Sequence, residues 1–269
     1  VTLSGARPII IHADAEHNFK ITPEQIDQAV TPNTKAIVIN SPSNPTGSAY
    51  DRSELEKLAE CALRHGLLII SDEIYEYIVF DGFRHTSIAS LSKEVQKQCV
   101  VINGVSKSFA MTGWRIGYIA AGDPEIIKQT TKLQGQSTSN PCSVSQAASI
   151  AALTGPLDEV HAMVREFEKR RDILVGLLRQ IPGVTCNKPT GSFYSFPDFS
   201  GIYGKKDENG KILQGSLDFT AYLLSAEKVA IVPGIAFGAD AHARLSFATS
   251  LDKIEAGAHR IKAAISRLR

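Results

Sequence analysis

Five stretches of the chain are apolar with almost no polar alternation: residues 7–12, 35–40, 67–71, 100–102 and 114–121. Strands covered on both faces read this way, whereas half-solvated strands alternate. Between them, apolar residues recur at helical spacing. Thr22 stands where an N-cap belongs, Pro23 at the first helical position, and Ile26, Ala29 and Val30 form an apolar face. Asp51 opens a second helix over residues 51–65, with Leu55, Leu58, Ala59 and Ala62 on its inner side. Residues 124–132 and 143–153 predict two more, and 159–181 a long charged one. Strand alternating with helix predicts an α/β fold: a mostly parallel central sheet with helices on both faces.

The texture changes after Pro182-Gly183. Short strands are expected at 184–186, 193–196, 229–232 and 244–248, with helices at 217–227 and 251–268, and the glycine-rich polar stretch 201–215 reads as a flexible surface loop. This gives a large domain, 1–164, and a smaller α+β domain, 165–269, joined through the long helix.

Composition narrows the function. The 269 residues are 43% hydrophobic and 21% charged, with 29 basic against 28 acidic side chains, net +1. That balance offers no electrostatic footprint for nucleic acid or an anionic membrane. No apolar stretch approaches a membrane span and the start shows no signal-peptide pattern. The four cysteines form no CxxC and the seven histidines no HExxH, so the thiols read as reduced cytosolic residues and no metal site is expected. No GxxxxGK[ST] and no GxGxxG after a strand is present. Gly104-Val105-Ser106-Lys107-Ser108 misses the last glycine of a nucleophile elbow, and two SxxK matches occur by chance.

What remains is a set of polar residues at strand ends. Ser41-Pro42-Ser43-Asn44-Pro45-Thr46-Gly47 follows the second apolar run; two prolines and a glycine make a rigid turn, flanking Asn44 so that its amide is held. Asp72 and Tyr75 follow the third run, Lys107 the fourth, and Arg115 opens the fifth. Each has a bland alternative: a loop lysine, an aspartate capping a turn, an asparagine in a turn. Together they place an amine, a carboxylate, a phenol, an amide and a guanidinium at one sheet edge, where α/β folds bind ligands. A phosphorylated pyridine aldehyde needs these groups: lysine for a Schiff base, acid for the ring nitrogen, phenol and amide for the ring oxygen, arginine and Ser106 for phosphate.

Ser-Pro-Ser-Asn-Pro-Thr-Gly (41–47), Ser-Asp-Glu-Ile-Tyr (71–75) and Ser-Lys-Ser-Phe-Ala-Met-Thr-Gly-Trp-Arg-Ile-Gly-Tyr (106–118) resemble the class I aminotransferases that use pyridoxal 5′-phosphate, in the order and spacing of the bacterial aspartate aminotransferase branch. The likeness extends to Val232-Pro233-Gly234 and Arg244-Leu245-Ser246-Phe247-Ala248. The resemblance implies the large domain of fold type I for that cofactor. It implies Lys107 as the Schiff-base lysine and catalytic base, Asp72 as the ring-nitrogen partner, Asn44 and Tyr75 at the ring oxygen, and Ser106 and Arg115 at the phosphate. Arg244, with Asn44, would meet the substrate, its fork suiting a carboxylate. It further implies amino acid and 2-oxo acid substrates, aspartate and 2-oxoglutarate first, and a cytoplasmic homodimer. A β-lyase or decarboxylase, or a non-catalytic cofactor-binding regulatory domain, are the alternatives. Family members carry an amino-terminal portion before the equivalent of Val1, with a phosphate-cradling loop and an aromatic that stacks on the ring, so this chain is expected to belong to a longer protein and to be inactive alone.

Overall fold

The computed structural model describes all 269 residues, which divide into two compact units. The first comprises residues 1–42, 48–77 and 84–160; the second comprises 43–47, 78–83 and 161–269.

The first unit is built on a four-stranded sheet in the order β1 (Ala36–Asn40), β2 (Leu68–Asp72), β3 (Cys99–Gly104), β4 (Gly117–Ala121). The first three strands are parallel, with Asn40 level with Asp72 and Asp72 level with Ile102. β4 runs antiparallel to β3, Gly104 lying opposite Gly117. α1 (Pro23–Ala29), α2 (Arg52–Arg64) and the short α3 (Lys93–Lys97) are the helices before β4; α4 (Pro124–Ser137) and α5 (Ser143–Thr154) follow it.

Local chemistry explains the boundaries. Thr22 and Gln25 close a capping box at α1, with Pro23 in the first turn. Asp51 and Glu54 do the same at α2, Asp51 accepting from Glu54 N–H at 2.9 Å. α2 then turns Leu55, Leu58, Ala59, Cys61 and Ala62 inward against Ile26, Ile39, Ile69 and Cys99. Each fully buried leucine there contributes about 1.5–3 kcal/mol. The opposite sheet face leaves Val38 and Ile102 open, at 59% and 40% exposure.

Residues 7–12 do not form the expected buried strand. They are irregular, with Ile9 and Ile10 at 54% and 68% exposure. An apolar run needs a neighbouring strand to complete a ladder, and no strand pairs with this one.

The second unit takes α6 (Asp158–Leu178) apart from its first three residues, then β5 (Tyr194–Ser195), α7 (Ser216–Glu227), β6 (Val232–Pro233), β7 (Ala243–Ser246) and α8 (Leu251–Ser266). Its strands form a small antiparallel sheet in the order β5-β7-β6. Residues 184–186 make only an isolated bridge, Thr185 to Asp198, rather than a strand. Phenylalanines fill the core: Phe199 meets Phe219 at 4.6 Å between centroids, and Phe247 lies between Phe80 and Phe167.

The stretch 201–215 is not a free loop. Lys206 bridges to Ile212 and exchanges both backbone hydrogen bonds with Arg269, at 2.8 and 3.0 Å. Gly204 and Gly210 supply the positive φ angles its turns need, 86° and 82°. Its polar composition reflects a solvated hairpin. No helix of the protein is long and apolar enough to cross a membrane.

Candidate functional site

Asp72 is the last residue of β2, and its level neighbours are Asn40 and Ile102. The strand end is tied down from both sides: Asn40 Nδ2 donates to the Asp72 carbonyl at 3.1 Å, and Glu73 N–H to the Ile102 carbonyl at 2.9 Å. The Asp72 carboxylate is half-buried and accepts one hydrogen bond, from Ile74 N–H to Oδ1 at 3.2 Å. Its second oxygen remains open to a cationic or N–H partner.

Tyr75 lies three residues on and is 3% exposed. Ser106 and Lys107, both half-buried, sit in the turn that leaves β3 after Gly104. Phe109 of this turn packs edge-on against Tyr77, centroids 5.8 Å apart, which seats the lysine turn on the segment following Asp72. Gly104 is required there, since a Cβ would stand 2.8 Å from the Ile116 carbonyl oxygen.

Arg115 reaches this edge by a route that the apolar runs do not reveal. In a parallel strand the residue before its start would lie at the far edge. Because β4 is antiparallel, its start is level with the end of β3, so Arg115 stands on the side of Asp72 and Lys107. Arg115 is exposed, has a left-handed φ of 56°, and spends one donor on the Thr112 carbonyl at 3.0 Å. Arginine carries five N–H donors, so most of its fork faces outward.

The other two candidates belong to the second unit. Arg244 Nη1 donates to Asn44 Oδ1 at 2.8 Å, although 200 positions separate them. The Arg244 guanidinium lies over the Tyr194 ring at 4.4 Å and the Phe237 ring at 5.2 Å. Asn44 reaches this unit because the Ser43–Gly47 loop is anchored in it. The Gly47 carbonyl accepts from Thr190 and Gly191 N–H at 2.8 and 2.7 Å. Gly47 has φ 72°, and any Cβ there would meet Pro189 Cβ at 2.5 Å and the Tyr194 carbonyl oxygen at 2.8 Å.

Thus Asp72, Tyr75, Ser106, Lys107 and Arg115 gather at one sheet edge of the first unit, and Asn44 pairs with Arg244 in the second. Sequence reasoning missed Tyr194 and Phe237, since nothing in their local pattern marks an aromatic as a cradle for a distant arginine. It also missed Glu73 and His85 beside the strand end, discussed below.

The donor set suits pyridoxal phosphate group by group: an amine for its aldehyde, an open carboxylate oxygen for its ring nitrogen, a buried phenol for its ring oxygen, and an unsaturated guanidinium with a hydroxyl for its phosphate.

Comparison with known proteins gives the same direction. The sequence profile of the family "Aminotransferase class I and II" matches residues 1–261. An aspartate aminotransferase from Geobacillus stearothermophilus is 51% identical over 264 residues, 97% of this chain and 65% of the relative. A probable aspartate/prephenate aminotransferase from Rickettsia bellii is 43% identical over 269 residues, 100% of this chain and 67% of that one. Among solved structures, the aspartate aminotransferase from Rhizobium meliloti superposes with a TM-score of 0.94 at 43% identity, covering 98% of this chain and 66% of that protein. The chain therefore spans about two thirds of the length of the relatives it matches.

Proposed function

Because this chain belongs to the class I and II aminotransferase family, we propose that it is the greater part of an enzyme that moves an amino group from an L-amino acid to a 2-oxo acid with pyridoxal 5′-phosphate, the cofactor of class I aminotransferases. The supporting observation is the meeting of Asp72, Lys107 and Arg115 at one sheet edge, through two parallel strands and one antiparallel strand. Aspartate is the first donor to try and 2-oxoglutarate the first acceptor, since relatives at 51% and 49% identity are named aspartate aminotransferases. Prephenate follows from the Rickettsia proteins. We take the working form to be a cytoplasmic homodimer.

When bound, the cofactor supplies an electron-withdrawing ring that acidifies the Cα–H of an attached amino acid. The chain's own residues do the rest. Lys107 Nζ would hold the cofactor at its aldehyde and would serve as the base at the substrate Cα. Asp72 would pair with the protonated ring nitrogen through its second carboxylate oxygen. Tyr75 and Asn44 would hydrogen-bond the ring oxygen, Ser106 and Arg115 would hold the phosphate, and Arg244 would orient the substrate α-carboxylate. With its fork stacked on two rings, Arg244 is held flat without losing its hydrogen-bonding edge.

The test is Lys107→Ala in the full-length protein. Transamination and the lysine-dependent cofactor absorbance should both vanish; surviving turnover would refute the assignment. Asp72→Ala should lower kcat by about 10²–10⁴-fold while cofactor affinity changes less, and an unaltered kcat would remove Asp72 from the mechanism. Product analysis excludes a lyase or decarboxylase if a 2-oxo acid and the aminated cofactor accumulate together.

A further inference from the structure

Directly beside Asp72 lies a buried polar cluster that the mechanism above does not use. Glu73 is 2% exposed. Its Oε1 accepts from Ser71 Oγ at 2.8 Å and Ser87 Oγ at 2.9 Å, and its Oε2 faces His85 Nε2 at 3.3 Å. Glu76, one turn on, donates its N–H to the Glu73 carbonyl at 2.9 Å and accepts from Asn103 Nδ2 at 2.8 Å. Asn103 Oδ1 in turn accepts from Gly104 N–H at 2.7 Å, at the point where β3 gives way to the lysine turn.

A carboxylate buried this deeply is expensive compared with a leucine of similar size, and such networks are retained where they specify one geometry. Here the geometry is that of a strand end. Consecutive side chains of an extended segment point to opposite sides. Anchoring Glu73 on one side therefore fixes the direction in which Asp72 presents its carboxylate on the other. The Glu76–Asn103 clip fastens the same turn to the strand leading to Lys107.

We propose that Glu73 is a positioning residue: held by Ser71, Ser87 and His85, it sets the orientation of Asp72 at the cofactor ring. This rests on the reading of Asp72 given above. Neither its sequence context nor the spacing of the site residues marks it.

The experiment uses the full-length protein loaded with pyridoxal phosphate, comparing wild type with Glu73→Ala, Glu73→Gln and Ser87→Ala. Glutamine keeps an oxygen that both serines can reach; alanine does not. Glu73→Ala should lower kcat by about 10- to 100-fold, the penalty of a misdirected catalytic group. It should also displace the pH midpoint of the cofactor absorbance and weaken cofactor affinity. Glu73→Gln should restore most of all three, and Ser87→Ala should fall between. If Glu73→Ala does not fold, Ser87→Ala decides the matter by the same readouts. Variants that lose only thermal stability, keeping wild-type kcat and absorbance midpoint, would overturn the inference. So would stoichiometric metal in the purified protein lost on Glu73→Gln, since Glu73, Glu76 and His85 have ligand atoms within 4.8 Å of one another. A wild-type protein that binds no pyridoxal phosphate would instead overturn the function reading, and this inference with it.

Discussion

Two arginines of the second unit share a side chain and little else. Arg171 is fully buried. Its fork meets both oxygens of Asp81, at 2.8 and 3.0 Å, the Pro189 carbonyl at 3.0 Å, and Asp172 through Nε at 2.9 Å, with Phe80 beneath it at 4.7 Å. Arg244 is half-buried, lies on two rings and makes one hydrogen bond, to Asn44. The first has no capacity left for a ligand. It binds the 78–83 segment to α6 and the Pro189 region, so its work is internal. The second is held by flat ring contacts that leave all but one of its donors unspent. Burial alone would rank Arg171 as the more interesting residue; counting satisfied donors reverses the ranking.

Replacing each arginine should separate the two roles. The largest effect is expected from Arg171→Met, which leaves Asp81 and Asp172 with only Lys188, at 3.1 and 3.2 Å. Removing one partner of a buried pair costs about 3–5 kcal/mol, and the half-exposed carboxylates place this case near the lower end. Urea unfolding measures it, and a loss under about 1 kcal/mol would erase the contrast. The same clip carries a pH signature. Arg171 first, and Lys188 after it, hold the Asp81 carboxyl down to about 2, from an ordinary value of 3.8. A depressed acid contributes stability that is whole above the ordinary value and fades as pH falls through the folded one. The difference between wild type and Arg171→Met should therefore shrink between about pH 4 and pH 2.

Next in size is Arg244→Lys. Stability should change by less than about 0.5 kcal/mol, while kcat/KM for the amino acid falls about 100-fold, because an ammonium cannot offer two parallel N–H bonds to a carboxylate. A lysine variant with wild-type kcat/KM would end the claim that the open fork is a substrate contact. The smallest effect should come from Phe237→Leu, which removes one of the rings beneath Arg244. A loss of about 0.5–1 kcal/mol, seen as a few-fold rise in KM with kcat unchanged, matches an exposed cation–π contact.

The contrast also shows where sequence reading runs out. Asp51, Thr22 and Pro23 could be placed because a cap acts on residues within one turn of itself. The apolar runs at 35–40, 67–71 and 100–102 became strands because their burial is written into consecutive positions. Residues 7–12 carried the same composition and failed, since a strand also depends on a partner that the run does not encode. The placement of Asp72 and Lys107 just after apolar runs was legible in the sequence. The direction of β4, which brings Arg115 to the same edge, was not. Arg171 with Asp81 and Arg244 with Asn44 are 90 and 200 positions apart. No periodicity in a single chain reports pairings at that range.

The course of the backbone has a practical outcome. It passes from one unit to the other five times, at 42/43, 47/48, 77/78, 83/84 and 160/161. A single protease cut at 160/161 would divide the polypeptide but not the two bodies, because the 43–47 and 78–83 segments would still hang from the upstream piece while completing the downstream one. Neither body can be cloned as one uninterrupted reading frame, and a carboxyl-terminal expression product starting at residue 161 would lack Asn44 as well as Asp81.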